Sequence, residues 1–576
     1  MQKIAKTLVL SVLILLLFTS VASAQEWVVT SGGDTGKVNL SMINLDNMTL
    51  REAIAKASSG DTIVFADNVT SVAIMNGTLN ISNDITVGGT TKVTVGRDSS
   101  PVTQEMAIFT VSGANVTFKQ LTIENGYVTN GTGGGVLIDR ANVTFDACTI
   151  QNNRADTGGG IYVANSSNVK FVTSSIYKNT ASTDGSALYI KSGNVEFQNT
   201  IVNGHSDKYN LIKLDQGKIT ANQSRVINNA ITSKGSPVNA SSGTIVEFKN
   251  STFSNNTATE SAGITSYGTL IVESCVFDQG VTTGSGGGIT LMNGSTGTIK
   301  YSVFSNANVT DDGGGIHVAA NASATIDTCT FLNNIANYGG AFFSRGTVNA
   351  TGITAVNNTA KFFGGAVALW NDGNATLTKS VLAGNTAKSN NTAKDVGGGG
   401  LNISNSVATI SNNVIVGNTD PRNVDFGQLN ATVNSGGNNL VGTYNGNGRF
   451  PIDSTDVSGI EVENVFVMQN GLPAVTRSTG YTAGYDKVQV YTVALNSSAD
   501  NPAADILGGN EQTPEPDQPS ENETNQTPVE PEPEDSGSSW TKWLMYGIIA
   551  IVLLVIIAVA GVLLWKYNEK RKYKFG

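Results

Sequence analysis

Aromatic side chains recur at fixed offsets after a glycine-rich motif that repeats along the chain. Alternate residues of a strand point to the same side of a sheet, so these side chains should line one outward face. Exposed aromatic rings on a rigid face hold sugars or partner proteins. The pattern predicts a ligand-binding face; the alternative interpretation is ordinary strand residues that loops or a neighbouring rod cover. The aromatic candidates are Tyr162, Tyr189, Tyr267, Phe343 and Trp370, with His317 in the same series.

The charged residues on this face lack the spacing that catalysis needs. Glycosidases use two carboxyl groups about 5 to 9.5 Å apart, whereas Asp139 and Asp215 stand three repeats apart. Lys191, Lys213 and Asp215 are interpreted as a surface ion pair rather than as a base with its orienting group. The sequence therefore predicts no catalytic residue.

Acidic residues precede several of the glycine motifs. Turn formation explains them, and a Ca²⁺ site between adjacent repeats is the alternative. The two histidines, His205 and His317, have no nucleophile or metal ligand in register with them. We predict no metal and no cofactor, with Ca²⁺ kept as the alternative. The acids concerned are Asp156, Asp184, Asp311, Asp312 and Asp395.

The motif that positions these residues recurs about every 26 residues, a period typical of solenoids. It reads Gly133-Gly134-Gly135-Val136 in one repeat and Gly313-Gly314-Gly315-Ile316 in another. Three short runs of alternating polarity follow each motif, as half-buried strands require. The sequence predicts an all-β fold, a right-handed parallel β-helix with three sheets over residues 113–420.

Two further positions repeat with the same period. An asparagine closes each repeat at Asn153, Asn179, Asn256, Asn334, Asn385 and Asn418, and we expect its amide to bond backbone groups and the next asparagine; the alternative is that asparagine merely tolerates a left-handed turn. Cys148, Cys275 and Cys329 share a slot that elsewhere holds small residues such as Ser174, Asn199 and Ser251. We predict that these cysteines are buried and unpaired.

The segments outside the repeats predict an exported, anchored protein. Residues 1–24 have the pattern of a secretory signal peptide. Residues 25–112 are assigned to an N-terminal cap with first irregular coils, with a capping helix near Leu50, and residues 421–507 to terminal coils and a C-terminal cap. Residues 508–539, rich in Pro and Glu, predict a disordered linker.

The last segment predicts a single-pass membrane anchor. Residues 540–566 contain an uncharged apolar run, 544–564, of the length that spans a bilayer. The basic tail, 567–576, then predicts a cytoplasmic C-terminus and an N-terminal ectodomain outside the cell. The net charge of −10 argues against nucleic acid as a partner.

Several Asn-x-Ser/Thr motifs predict a glycoprotein if the cell has the enzymes, although Asn, Ser and Thr are common enough in the turns to produce such motifs by chance. The glycosylation candidates are Asn115, Asn142, Asn165, Asn250, Asn321, Asn374 and Asn430.

The repeat resembles the polymorphic outer-membrane-protein repeats and the adhesin-like β-helix proteins of methanogenic archaea. The glycine motifs and the Phe-x-x-Asn closings, as at Phe331 to Asn334, carry this resemblance over about residues 109 to 420. Leu50-Arg51-Glu52-Ala53-Ile54 resembles CSLREA-type surface proteins, with Met48-Thr49 where those have Cys-Ser. Gly436-Gly437-Asn438-Asn439 and the residues that follow are similar to the end of choice-of-anchor surface proteins.

This resemblance implies a cell-surface adhesin. The preferred hypothesis is a membrane-anchored extracellular β-helix whose rod displays a binding surface for glycans or for partner-cell or envelope proteins. The alternative is a surface polysaccharide lyase or a related carbohydrate-active enzyme, since the fold also carries such activities.

Overall fold

Each repeat folds into one coil of a parallel β-solenoid. The computed structural model describes residues 24–36, 38–98, 104–389, 397–446, 449–461, 466–469 and 472–475. Of the two units into which the chain divides, Met1–Asn510 and Glu511–Gly576, all of these residues belong to the first. Apolar and polar residues alternate along each run, so each run forms a strand with one buried side. Equivalent strands of successive coils pair in parallel and form rows along the solenoid.

Row 1 is a sheet of 15 strands and includes all the strands that follow the glycine motifs. Its strands are Leu79–Ile81, Phe109–Ser112, Val136–Asp139, Ile161–Ala164, Leu188–Ile190, Ile212–Leu214, Val238–Ala240, Ile264–Ser266, Ile289–Leu291, Ile316–Val318, Phe342–Ser344, Val367–Trp370, Leu401–Ser404, Phe426–Leu429 and Tyr444–Gly446.

Rows 2 and 3 belong to a single sheet of 30 strands. Row 2 contains Glu26–Val29, Thr62–Phe65, Ile85–Arg97, Asn115–Glu124, Asn142–Asp146, Ser167–Val172, Gly193–Gln198, Gly217–Asn222, Ile245–Lys249, Thr269–Glu273, Thr296–Lys300, Ser323–Asp327, Thr347–Thr351, Asn374–Thr378, Val407–Ser411 and Thr432–Ser435. Row 3 contains Ser71–Ile74, Thr149–Gln151, Ser175–Tyr177, Ile201–Asn203, Arg225–Ile227, Thr252–Ser254, Val276–Asp278, Val303–Ser305, Thr330–Leu332, Thr354–Val356, Val381–Ala383, Val414–Val416, Leu440–Val441 and Val457–Ser458. The long strands Ile85–Arg97 and Asn115–Glu124 pair in both rows.

Row 4 is short and closes each coil. It consists of the pair Arg154–Thr157 and Thr180–Asp184, followed by an eight-stranded sheet. That sheet contains Ser206–Asp207, Ala230–Ile231, Thr257–Ala258, Val281–Thr282, Asn308–Val309, Ile335–Ala336, Thr359–Ala360 and Thr386–Ala387.

A coil thus has four strand segments where the sequence predicts three. Between rows 2 and 3 the chain bends at one residue with positive φ, for example Ala147 (φ 52°), Thr173 (φ 47°) and Thr328 (φ 52°). A single left-handed residue turns the chain without leaving the sheet, so the two rows stay in one sheet. Parallel pairing also extends beyond residues 113–420 at both ends, from Glu26 to Ser458.

The inward residues form one continuous core. Phenylalanines stack on equivalent phenylalanines of the next coil: Phe145 and Phe171 lie 5.0 Å apart, and Phe277 and Phe304 lie 4.9 Å apart, between ring centroids. Such stacks add to the stabilisation from burial alone. They also keep neighbouring coils in register, since a slip of one residue would turn each ring to the solvent side.

The asparagine ladder is confirmed. Asn334 is fully buried, and its Nδ2 donates to Phe304 O (2.9 Å) and to Asn358 Oδ1 (2.9 Å) in the next coil. Asn358 bonds Asn385 in the same way, and Asn385 bonds Asn418. The side-chain N–H groups of each asparagine therefore bond a backbone carbonyl of the preceding coil and the side-chain oxygen of the asparagine in the next coil. Buried polar groups require such partners.

The three cysteines are free and buried, as predicted. Their slot holds Ser174 and Ser302, whose Oγ atoms accept the N–H groups of Cys148 (3.0 Å) and Cys275 (3.1 Å). The prediction that Asn199 fills this slot is wrong: Asn199 is exposed at φ 48°, and Thr200 occupies the slot, 1% exposed. The chain bends at the residue before the slot, and a side chain there points outward.

We expect denatured, unreduced protein to release three thiols per chain to a thiol reagent, because all three cysteines are free. The folded protein should react slowly, since burial raises the pKa of Cys275 and Cys329 to about 12 and only the thiolate is nucleophilic. A count below three in the denatured protein would show a disulfide or another thiol modification.

A short helix, Leu50–Lys56, precedes the regular coils. Thr49 and Glu52 form a capping box, and Leu50 and Ala53 face the core. Arg51 binds Asp34 (2.7 Å), which fixes the preceding segment. The remaining elements are a 3₁₀ helix, Leu45–Asn47, and an antiparallel pair, Phe466–Gln469 with Leu472–Val475.

Within the described residues, no helix has the length and apolar character needed to cross a membrane. Residues 1–23 of the predicted signal peptide, 1–24, lie outside the described residues, as do the linker 508–539, the anchor 540–566 and the tail 567–576.

Candidate functional site

The outer face of row 1 brings the predicted side chains into register. Tyr162 pairs with Tyr189, Tyr189 with Lys213, and Lys213 with Asn239, one per coil. Farther along the row, His317 pairs with Phe343. The inward neighbours on the same strands are buried apolar residues such as Ile161. The predicted alignment of these positions between coils is therefore confirmed.

Tyr162 and Tyr189 form a stacked pair, here called the tyrosine pair. Their ring centroids lie 5.5 Å apart with an interplanar angle of 7°, and both side chains are half-buried. The Tyr189 hydroxyl donates to Asp215 Oδ2 (2.6 Å). Burial and the acceptor Asp215 raise the pKa of Tyr189. The rings are thus held in place by the stack and by the hydrogen bond to Asp215.

Asp215 is the centre of a polar network beside the tyrosine pair. It accepts hydrogen bonds from Tyr189 and from Lys191 Nζ (3.0 Å), and Lys213 Nζ lies 3.9 Å from its Oδ1. Burial acts to raise the pKa of Asp215, but the hydrogen bonds from Tyr189 and Lys191 outweigh it, so that the pKa is lowered. The predicted ion pair exists and forms part of a larger network.

Lys213 continues this network into the next coils. Its Nζ donates to Asn239 Oδ1 (2.6 Å) and to Ser241 Oγ (3.0 Å). Asn239 Nδ2 in turn donates to Glu260 Oε2 (3.3 Å). Asn239 and Glu260 were not among the predicted residues. Asn239 could have been found because it lies in register with Lys213, whereas Glu260 lies in a corner between strands.

Asp184 is a further acidic residue close to the start of the strand that carries Tyr189. Asn210 Nδ2 donates to both of its oxygens, at 3.0 and 3.2 Å. Burial raises the pKa of Asp184 above its usual value. Asp184 was predicted to form a turn, and the Gly185 N–H indeed donates to its Oδ1 (2.9 Å).

The prediction that Phe343 is exposed is wrong: only 1% of it is accessible. It stacks on His317 with 5.5 Å between centroids, and Tyr338 lies 6.1 Å away. The Arg345 guanidinium stands 5.5 Å from the ring. Corner residues that precede the glycine motifs fold over row 1 here. At Phe343 the alternative interpretation therefore holds, in which an ordinary strand residue is covered by a loop.

Trp370 joins Phe343 in what we call the aromatic cluster. Tyr338 lies 5.3 Å from Trp370 and 5.0 Å from Phe362, and Trp370 stacks on Phe363 at 5.9 Å. Tyr338, Phe362 and Trp370 are half-buried. Tyr338, Phe362 and Phe363 were missed because they precede the glycines, at positions interpreted only as turns.

Tyr267 belongs to neither aromatic group. It is half-buried, and burial together with the charge of Glu260 raises its pKa. The strand that it follows, Ile264–Ser266, is three coils from the strand of Tyr189. The five predicted aromatic residues therefore do not form one face. Tyr162 and Tyr189 form one group, Phe343 and Trp370 belong to another, and Tyr267 stands alone.

Two buried polar groups near the aromatic cluster have no hydrogen-bond partner: Asp312 Oδ1 and His317 Nδ1. Burial raises the pKa of Asp312 to about 7 and lowers the pKa of His317 to about 4. Both groups are therefore neutral in slightly acidic solution. Among the residues that the structure describes, no group of three or more His, Cys, Asp or Glu is arranged to hold a metal ion.

The seven glycosylation candidates all lie at the surface, where an enzyme can reach them. Asn115 and Asn142 belong to an exposed ladder in which Asn142 Nδ2 donates to Asn115 Oδ1 (2.7 Å). The exposed candidates are Asn115, Asn142, Asn165, Asn250, Asn321, Asn374 and Asn430. Their glycosylation stays a prediction.

Comparison with known proteins defines the family. Two solved structures are weakly similar: a pectate lyase, Pel9A (13% identity, 79% of this chain, 86% of that chain, TM-score 0.22), and a PL6 alginate lyase in complex with a trisaccharide (12%, 79%, 92%, TM-score 0.24). At these TM-scores the similarity assigns no activity. No curated protein matches the chain. The model of the right-handed β-helix region matches residues 57–224 and 209–360, which confirms the predicted handedness. Because this match spans more than half of the chain, the protein belongs to the right-handed β-helix family.

Proposed function

We propose that this protein is an adhesin-like surface protein that binds carbohydrate through the outer face of row 1. In this proposal the signal peptide exports the chain, residues 544–564 anchor it in the cell membrane, and the β-helix stands outside the cell. The partner is an extracellular glycan or a glycosylated protein of another cell or of the envelope.

The tyrosine pair carries the proposal. Two half-buried rings stand side by side, and Asp215 fixes the hydroxyl of Tyr189 at 2.6 Å. Lys191 beside them has a side chain that is 58% exposed, so its remaining N–H donors are available to a ligand. A sugar needs apolar contact together with fixed hydrogen-bonding groups, and the parts of the two rings that the stack leaves uncovered supply the apolar contact. Because these side chains are already ordered, binding would cost little conformational entropy.

The same contacts favour binding over polysaccharide lyase activity, which is the second candidate function. A lyase needs a base that has lost its proton at working pH. The hydrogen bond to Asp215 raises the pKa of Lys191, and burial together with Asp215 raises that of Tyr189. Both groups therefore keep their protons near neutral pH, which makes them poor bases, and the Oδ2 atom of the ionised Asp215 is already bound by Tyr189 and Lys191.

We expect Tyr162→Ala and Tyr189→Ala to weaken glycan binding by the full-length chain by roughly tenfold or more each, as loss of a buried aromatic anchor usually does. A glycan array identifies the ligand, and titration with that glycan measures the affinity. Tyr177→Ala is the matched control, because Tyr177 is a half-buried tyrosine on row 3.

Unchanged affinity in both tyrosine variants would contradict the proposal. Release of unsaturated products from a uronic acid polymer would instead establish the lyase. Loss of binding after deglycosylation alone would move the interaction to the attached glycans.

A further inference from the structure

Lys213, Asn239 and Glu260 stand in a line across three coils, with donor and acceptor atoms in contact. Lys213 Nζ lies 2.6 Å from Asn239 Oδ1, and Asn239 Nδ2 lies 3.3 Å from Glu260 Oε2. Since a C=O bond adds only about 1.2 Å, the lysine nitrogen is within roughly 4 Å of the carboxamide carbon. A near-attack arrangement needs about 3 to 3.5 Å, with the nitrogen above the plane of the carboxamide, so a rotation of the Asn239 side chain out of this hydrogen bond completes the approach.

The surroundings hold these groups in place. The side chain of Lys213 is 16% exposed and Asn239 is 6% exposed. Lys213 and Asn239 are direct cross-strand neighbours in row 1, so the sheet fixes their separation. Ser241 Oγ, 3.0 Å from Lys213 Nζ, lies 3.5 Å from Asp215 Oδ1 and connects the amine to a carboxylate.

We propose that Lys213 and Asn239 condense to an intramolecular isopeptide bond between adjacent coils. Nζ of Lys213 attacks Cγ of Asn239, the N–C bond forms, and the bond from Cγ to Nδ2 breaks. The lysine ammonium and the carboxamide become one secondary amide and one ammonium ion. Nothing is oxidised or reduced, and no co-reactant is needed.

Two carboxylates are placed for the proton transfers. Asp215 receives the first proton of the lysine ammonium through Ser241, because Nζ itself lies 3.9 Å from Asp215 Oδ1, and this makes Nζ a nucleophile. The second proton leaves Nζ as the amide forms, and Glu260, which accepts a hydrogen bond from Nδ2, is placed to pass that proton to the departing nitrogen. The nitrogen departs as ammonia and takes up the proton that Asp215 holds, so that ammonium leaves and both carboxylates end as they began.

This modification goes beyond ligand binding, because it concerns the covalent structure of the rod. The bond joins the strands Ile212–Leu214 and Val238–Ala240 and closes a loop of the chain between them. It would restrict the unfolded chain as a disulfide does, without depending on the redox state outside the cell.

The test is a peptide map of the full-length protein. An unmodified chain yields tryptic peptides that end at Lys213 and Lys218 and a separate peptide 235–249. The cross-linked chain yields 209–218, uncut at Lys213, joined to 235–249 and lighter than the sum by the mass of one ammonia. Peptide mapping is needed because an N-terminal Gln25 also loses ammonia on cyclisation.

Lys213→Arg and Glu260→Gln are the matched variants. Arginine keeps the charge and a hydrogen bond but does not condense, so the joined peptide should disappear. Glu260→Gln keeps the shape of the side chain and removes the acid, so the joined peptide should fall at least tenfold in a folded protein. Separate, unmodified peptides from the wild-type chain, or a glycan on Asn239, would overturn the proposal.

Discussion

Replacing Asn334 by leucine should lower the urea midpoint of unfolding strongly, although leucine has a similar volume and suits a buried site. The change removes the acceptor of the Ala307 N–H (3.1 Å) and the donor to Phe304 O (2.9 Å). Each stranded buried group costs about 1–3 kcal/mol, so we expect a loss of roughly 2–6 kcal/mol. The midpoint is measured by circular dichroism, and exchange of the Ala307 amide hydrogen should accelerate.

Asn349→Leu is the matched control for this prediction. Asn349 lies at an exposed position of the row 2 strand Thr347–Thr351, so the change should stay within about 0.5 kcal/mol. Asn306 is a poorer control, because it adopts φ 55° and donates to Asp278 (2.8 Å). Equal midpoints for Asn334→Leu and Asn349→Leu would show that the asparagine ladder does not contribute to the free energy of unfolding.

The asparagine doublets show why the corner was only partly predictable. In Asn333-Asn334 the first residue has φ 55° and is exposed, and the second is buried in the ladder. Asn357-Asn358 divides the two roles in the same way. The sequence offered the left-handed turn and the amide ladder as alternative roles of a single asparagine. In the structure the first asparagine of the doublet makes the turn and the second belongs to the ladder.

The repeat period predicted which residues of a strand point inward, because side chains alternate with period two. It aligned Tyr162 with Tyr189 and His317 with Phe343, as the register shows. Whether an outward residue is covered depends on the corner before the next glycine, which varies from coil to coil. Tyr338 fills one such corner and covers Phe343, and nothing in the period marks that difference.

The polar network beside the tyrosine pair was unpredictable for a related reason. Strand register places Lys213 against Asn239, but the contact to Glu260 depends on the path of a corner. Side chains that reach across corners form their contacts by geometry that a one-dimensional period does not contain. The chemistry proposed for row 1 therefore became visible only in three dimensions.

His205 interrupts the asparagine ladder, and acid should destabilise the protein there. His205 is 2% exposed; Asn229 Oδ1 lies 3.2 Å from its Nδ1, and its Nε2 is without a partner. Burial lowers the pKa of His205 to about 4, below the value of 6.5 for the free side chain. Between these pH values the unfolded chain binds a proton that the folded chain does not, so stability falls as the pH drops from 6.5 to 4.

His205→Asn should therefore stabilise the protein relative to wild type, by an amount that grows as the pH falls. A pKa that falls from 6.5 to about 4 on folding corresponds to about 3 kcal/mol of lost stability, and this loss is complete below pH 4. Asparagine also offers the ladder a carbonyl oxygen, which histidine lacks. Urea midpoints of variant and wild type at pH 8, 6, 5 and 4 measure the difference, and other titrating groups such as Asp312 cancel in it.

His317→Asn separates the two contributions. Burial lowers the pKa of His317 to about 4 as well, but this residue lies on the outer face of row 1, away from the ladder. His317→Asn should gain stability only in acid, because it adds no hydrogen bond to the ladder. At pH 8, where histidine is neutral in the folded and unfolded chain, only His205→Asn should be more stable than wild type. A difference between His205→Asn and wild type that stays constant from pH 8 to pH 4 would show that His205 is protonated in the folded protein, contrary to its burial among ladder amides.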